Sequence, residues 1–113
     1  MATPTGPAAL LRIYTHETAR QDHHPLFETV VLKAREAGLA GATVLRGPMG
    51  FGRGKHLHNA NIIDLAADLP LVIEIVDTEA ALRGFLPTLR AMRDVGLITL
   101  EKVEVVHVPA DET

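Results

Sequence analysis

Leu69-Pro70-Leu71-Val72-Ile73-Glu74-Ile75-Val76 is apolar on both alternating faces except at Glu74, the pattern of a strand covered on two sides. It is the strongest strand signal in the chain. Asp77-Thr78 follows as a helix cap. Leu82, Phe85, Leu86, Leu89 and Met92 then recur at helical spacing. Gly84 and Pro87 fall inside that pattern, and Pro87 has no N–H to give to the carbonyl of Arg83, so a bend or early break is expected there. Gly96 is the expected end of the helix. Leu97 to Val108 reads as a last strand, too long to be simple, with Glu101-Lys102 marking a bulge or a change of partner.

The same grammar runs upstream. Leu10-Leu11-Arg12-Ile13-Tyr14 reads as a short strand. After a His- and Asp-containing loop, Pro25 suits a first helical turn, and Leu26, Phe27, Val30, Val31 and Ala34 form one apolar stripe ending at Gly38. Gly41 to Arg46 is a second strand. The order β, α, β, loop, β, α, β forms two similar halves. Its economical solution is an α+β, ferredoxin-like βαββαβ plait: a four-stranded antiparallel sheet with two helices on one face. Right-handed crossovers put the first and third strands at the centre. Arg12 and Glu74 then lie on central strands among apolar neighbours, either as a binding pair or as a structural ion pair. The expected domain is 9–108, with 1–8 and 109–113 as frayed termini. Two short helices leave much of the sheet uncovered, so the open face should bury itself in an oligomer.

Composition narrows the function. The 113 residues suit one domain, 47% of them are hydrophobic, and the formal net charge is -3. With no cysteine, disulfides, thiolate metal sites and cysteine nucleophiles are excluded. Met1 to Pro7 lacks the pattern of a signal peptide and no apolar run is long enough for a membrane span, so the expectation is a cytoplasmic protein not itself embedded in a membrane. The absence of a broad basic stripe argues against nucleic acid as the main ligand.

Against this mildly acidic background, Arg46-Gly47-Pro48-Met49-Gly50-Phe51-Gly52-Arg53-Gly54-Lys55-His56-Leu57-His58 has no acidic residue. It reads either as a site for a small anion or as a solvated hairpin tip. In the first reading Arg46 offers a guanidinium fork at a strand end, and Gly47, Gly50 and Gly52 offer backbone donors. Arg53, Lys55 and His58 would be contacts that order with the ligand, and Lys102 a contribution from a neighbouring subunit. Tyr14 either stacks a base or packs in the sheet. The segment fits neither the P-loop nor the dinucleotide fingerprint, with Met49 and His56 in two required P-loop positions and Lys55 where a third glycine belongs. His56 and His58, two apart, could begin a metal shell with His16, His23 or His24; the competing reading is solvated imidazoles.

Gly38-Leu39-Ala40-Gly41-Ala42-Thr43-Val44-Leu45-Arg46-Gly47, Gly50-Phe51-Gly52 and Asp68-Leu69-Pro70-Leu71-Val72-Ile73-Glu74-Ile75-Val76-Asp77 closely resemble the PII-like family catalogued as domain of unknown function 190. The resemblance spans roughly residues 9 to 108. It implies a ferredoxin-like subunit, a homotrimer with three sheets facing inward, and kinship with nitrogen-regulatory PII and CutA-type trimers. In PII proteins the connection between the second and third strands is the effector loop, with nucleotides bound between subunits near its base; residues 47 to 68 take that place here. The chain departs from true PII proteins in lacking their tyrosine-bearing loop and their basic nucleotide loop, since Val95-Gly96-Leu97-Ile98-Thr99 holds one glycine and no cation. The resulting expectation is a PII-like signalling protein: a non-enzymatic trimeric sensor with no required cofactor, an adenine nucleotide as effector, and a 48–66 loop acting on a target such as a membrane transporter. A CutA-like metal-binding trimer and a slow phosphohydrolase are the alternatives.

Overall fold

The protein is described by a computed structural model over residues 5–52, 57–59 and 68–110. Its main elements are β1 (Gly6–His16), α1 (Leu26–Glu36), β2 (Thr43–Arg46), β3 (Pro70–Asp77), α2 (Glu79–Arg90) and β4 (Ile98–Val105). They form a four-stranded sheet in the order β2-β3-β1-β4, antiparallel throughout. This is the ferredoxin-like plait, with the first and third strands central. Two further ladders pair Arg20–Gln21 with His24–Pro25 and Met49–Gly50 with His58–Asn59.

Strand alternation decides which residues make the core. Ala9, Leu11 and Ile13 of β1 and Leu71, Ile73 and Ile75 of β3 are all buried. Leu26, Val30 and Ala34 of α1 and Leu82, Phe85 and Leu89 of α2 complete that layer. The intervening residues, including Leu10, Arg12, Tyr14, Val72, Glu74 and Val76, lie on the opposite face and are only partly buried or exposed. Arg12 pairs there with Glu74 at 3.0 Å and also with Glu101 at 2.6 Å. It is a structural ion pair with a third member.

Local chemistry closes the helices. Gly38, at φ 79°, supplies the left-handed residue after α1, and the Gly38 and Leu39 amides donate to Arg35 and Ala34 in a Schellman closure. Thr78 caps α2 by accepting from the Ala81 amide at 3.1 Å. Asp77, 3% exposed, accepts from the amides of Ala40 at 2.9 Å and Thr78 at 2.6 Å. One buried carboxylate thus ties the connection into β2 to the start of α2.

Several boundaries differ from the sequence reading. β1 begins at Gly6, because β4 pairs with it as far as Gly6 opposite Val105; β3 reaches only Ala9, so Pro7 lies where one flank of the strand is unpaired. α2 does not break at Pro87 but continues to Arg90. Pro87 falls in its last turn, where a single lost hydrogen bond is offset by the burial of Phe85 and Leu89 on either side. The helix also ends before Gly96, whose role is different. Gly96 donates to the Tyr14 carbonyl at 2.8 Å while Tyr14 donates to Leu97, and a Cβ at Gly96 would meet that carbonyl oxygen at 2.5 Å. The glycine is there for close backbone approach. β4 carries no bulge at Glu101-Lys102: its register with β1 is one-to-one, and Glu101 breaks the apolar pattern because it reaches Arg12.

Candidate ligand cleft and the clasp beside it

At the end of the sheet where β1 finishes and β3 begins, an open cleft of about 1380 Å³ runs past Tyr14, Gly47, Gly50, Gly52, Pro70 and Gly96 to Arg83, Leu86 and Arg90 of α2. Its surface is more apolar than polar, with aliphatic side chains of β3 and β4 beside the arginines. A flat organic group can lie on such a wall while its anionic end meets the cations.

The candidate residues divide within this frame. Gly47, Gly50 and Gly52 line the cleft. Gly47, however, already donates its N–H to Pro70 at 2.8 Å. A Cβ on Gly47 or Gly50 would also press on the Pro70 ring at 3.2 or 3.3 Å, so these two glycines serve packing as well as any ligand. Gly52 has open space around its Cα. Arg46 and Lys102 lie outside the lining. Arg53, Lys55 and His56 lie outside the described residues, and of His58 only the backbone pairing opposite Gly50 is described. Among the described residues no three His, Asp or Glu side chains converge as a metal shell.

Arg83 and Arg90 were missed by the sequence reading. They are seven residues apart on α2 with Leu86 between, a spacing that places all three along one side of a helix; that periodicity was the available signal. Arg83 bonds Glu79 at 2.8 Å, and chiefly through that bond it holds the Glu79 carboxyl below its usual range. Arg90 is exposed and makes no ion pair among the described residues.

Beside the cleft, the last residue of β1 and the two that follow it hold both ends of the 47–68 connection. Arg46 Nη2 pairs with Glu17 Oε2 at 2.5 Å. The Glu17 amide donates to the Leu69 carbonyl at 2.8 Å. Asp68 lies 2.9 Å from His16 Nδ1 and accepts from the Thr18 amide at 2.9 Å. Burial pushes the Asp68 carboxyl up, but the Thr18 amide and hydroxyl together with His16 outweigh it and hold the group below the usual carboxylate range. His16, Glu17 and Thr18 therefore form a clasp across the stem.

This α+β plait, with a glycine-lined cleft at one end of its sheet, defines a fold class; comparison with known proteins supplies the family. The pattern of the DUF190 family, described as "Uncharacterized ACR", matches residues 8–105, and the chain belongs to that family. A UPF0166 protein of Aquifex aeolicus (strain VF5) is 39% identical over 98 residues, covering 87% of this chain and 92% of the relative. A second UPF0166 protein of that organism is 36% identical over 96 residues, with coverages of 85% and 94%. One from Methanocaldococcus jannaschii is 32% identical over 95 residues, with 82% and 86%. Among solved structures, CPII from Thiomonas intermedia K12, bound to ADP and bicarbonate, superposes with a TM-score of 0.56 at 23% identity, covering 89% of this chain and 90% of that one. The likeness to CPII is one of fold. Among the described residues no helix is long and apolar enough to cross a membrane.

Proposed function

We propose that the protein is a PII-like regulator that binds a small anionic effector, an adenine nucleotide first among them, in the cleft at the end of its sheet. The observation that carries this reading is the cleft itself: glycine backbone on one part of its lining, Arg83 and Arg90 on another, and apolar wall between. Phosphates suit the guanidinium groups and an adenine suits the apolar surface. The CPII structure, with the same fold, holds ADP.

The regulator works in the cytoplasm as a homotrimer. Tyr14, 36% exposed, and Leu45, 47% exposed, belong to a sheet face that no helix covers, and closing that face in a symmetric assembly removes the apolar surface from water. Ligand binding changes how the 48–66 connection is presented to a target such as a membrane transporter, and no turnover is required. The test is isothermal titration with ATP, ADP, AMP and cyclic AMP, with light scattering to give the mass. Saturable binding to a trimer that weakens in Arg90→Ala supports the reading. A flat titration with all four nucleotides overturns it.

A further inference from the structure

His16 belongs to the cleft and to the clasp at once. It is one of the residues lining the cleft, and its ring is bonded to Asp68 at the end of the 47–68 connection. We propose that His16 couples the two: it takes up a proton when an anion enters the cleft, and the protonated ring binds Asp68 more strongly and so holds that end of the connection in place. This deepens the proposed regulator and rests on an anion binding in that cleft.

Position comes first. His16 lies opposite Pro70 in the β1–β3 ladder, and the Pro70 ring packs where a Cβ on Gly47 or Gly50 would meet it at 3.2 or 3.3 Å. The imidazole therefore stands one strand away from the glycine part of the lining. Its side chain is 33% exposed, so water reaches it, whereas that of Asp68 is 17% exposed. Nδ1 lies 2.9 Å from one Asp68 oxygen and 3.2 Å from the other, and the Thr18 amide donates to the same carboxylate at 2.9 Å.

Charge gives the direction. Burial works against the charge on Asp68, but the Thr18 amide and hydroxyl together with His16 outweigh it, so the carboxyl is ionised at neutral pH. With a neutral ring the His16–Asp68 pair carries one negative charge; with a protonated ring it carries none. An anion in the cleft favours the second state, and by reciprocity the second state favours the anion. The proton comes from solvent and goes to the ring nitrogen that the neutral imidazole leaves unprotonated, and no covalent bond within the chain is broken. The donor facing Asp68 changes from neutral to charged, which is the stronger kind. The other charges at this end of the sheet do not reverse the sign: Glu17 is paired with Arg46 and Arg83 with Glu79, while Asp94 and Arg90, both in the lining, are of opposite sign. Cleft occupancy is thereby passed to the stem of the connection through one side chain that touches both.

The test titrates cyclic AMP and inorganic sulfate, two probes whose own charge is constant between about pH 5 and 8, the range in which an imidazole changes charge. Wild type, His16→Asn and Asp68→Asn are compared, with amide NMR to confirm that each variant is folded; Asn at position 16 keeps an uncharged donor near the place of Nδ1. Wild-type affinity should rise about three-fold from the top of that range to the bottom, the effect of one unit charge across a solvated gap of several ångströms. The heat of binding should vary with the ionisation heat of the buffer, reporting proton uptake. His16→Asn should abolish both effects, and Asp68→Asn should bind about three-fold tighter than wild type at the top of the range, because it removes the negative charge directly. A wild-type affinity indifferent to pH, an equally steep slope in folded His16→Asn, or an Asp68→Asn affinity equal to wild type at the top of the range would each overturn the proposal. The broader reading fails separately. Binding without a pH slope keeps the cleft and discards the coupling; a His16-dependent slope for sulfate, with all four nucleotide titrations flat, does the reverse. Binding of neither probe at any pH also overturns the coupling.

Discussion

The two faces of the sheet are made by the same strands and behave as different materials. On the helix side, Leu11, Ile13, Leu71, Ile73 and Ile75 are 0–3% exposed, and the one charged group buried there, Asp77, sits at the strand's end bonded to backbone amides. On the other side, the residues between them surround an arginine bonded to two glutamates. A charge can stand at the centre of this sheet because the face that carries it is not the core: water still reaches the Arg12 side chain, 36% exposed, so the desolvation penalty that would eject it from the helix side is small. Stability is concentrated on one face, while the other retains the polarity and exposed apolar surface suited to recognition.

Cutting into each face tests that contrast most directly. Ile73→Ala should lower unfolding stability by ~2–5 kcal/mol, because it opens a cavity where the layer is fully packed. Val72→Ala, one residue along on the open face, should cost about 1 kcal/mol or less in the isolated subunit. Urea unfolding of both variants at low protein concentration gives the comparison, and equal losses would mean that the open face is as much a core as the other.

Gly96→Ala attacks the point where the faces meet at the cleft. Its Cβ would lie 2.5 Å from the Tyr14 carbonyl oxygen, so the backbone must shift, at a cost of ~1–3 kcal/mol. Hydrogen exchange should show the amides of Tyr14 and Gly96 losing protection first. Protection equal to wild type would indicate that the approach is looser than described.

A smaller effect is expected from Arg12→Met. The ion pairs are partly solvated, so the change in subunit stability should be small. The assembly should respond more strongly, since Glu74 and Glu101 are left without their shared cation on the face proposed to meet other subunits. Sedimentation at several concentrations reads this out, and an unaltered mass distribution would separate the triad from assembly.

The least expected change is in the pH profile of Asp68→Asn. Because the folded Asp68 carboxyl is held below its ordinary value, it contributes stability at neutral pH, above the unfolded value, and loses that contribution as pH falls through the folded one. Asp68→Asn should flatten the acid limb of the urea midpoint against pH. An identical acid limb would show that the clasp contributes nothing through this carboxylate.

Element order and helix faces were legible because they rest on local periodicity. The stripe Leu26, Val30 and Ala34 is buried as its spacing requires, Thr78 caps the helix it precedes, and the apolar run 69–76 is a central strand of the sheet; which of its faces is the core was not legible, because both are apolar apart from Glu74. The glycine-rich segment was also legible as a candidate site in part, with Gly47, Gly50 and Gly52 reaching the cleft. Arg46 was read correctly as a strand-end cation but not as one already paired, since nothing near it in the chain identifies Glu17. Arg83 and Arg90 are not legible as site residues, because only the packing of α2 against the sheet brings them to the same cleft as the glycine segment.

The sequence alone therefore determined the order of strands and helices, the sides the helices bury and the plait that joins them, since each follows from patterns repeating within a few residues. Only the tertiary structure decided the partners of Arg12, at separations of 62 and 89 residues, the bond between His16 and Asp68, 52 residues apart, and the need for glycine at position 96. Those depend on which distant backbone the sheet brings alongside, and hydrophobic periodicity specifies a face without specifying who stands opposite it.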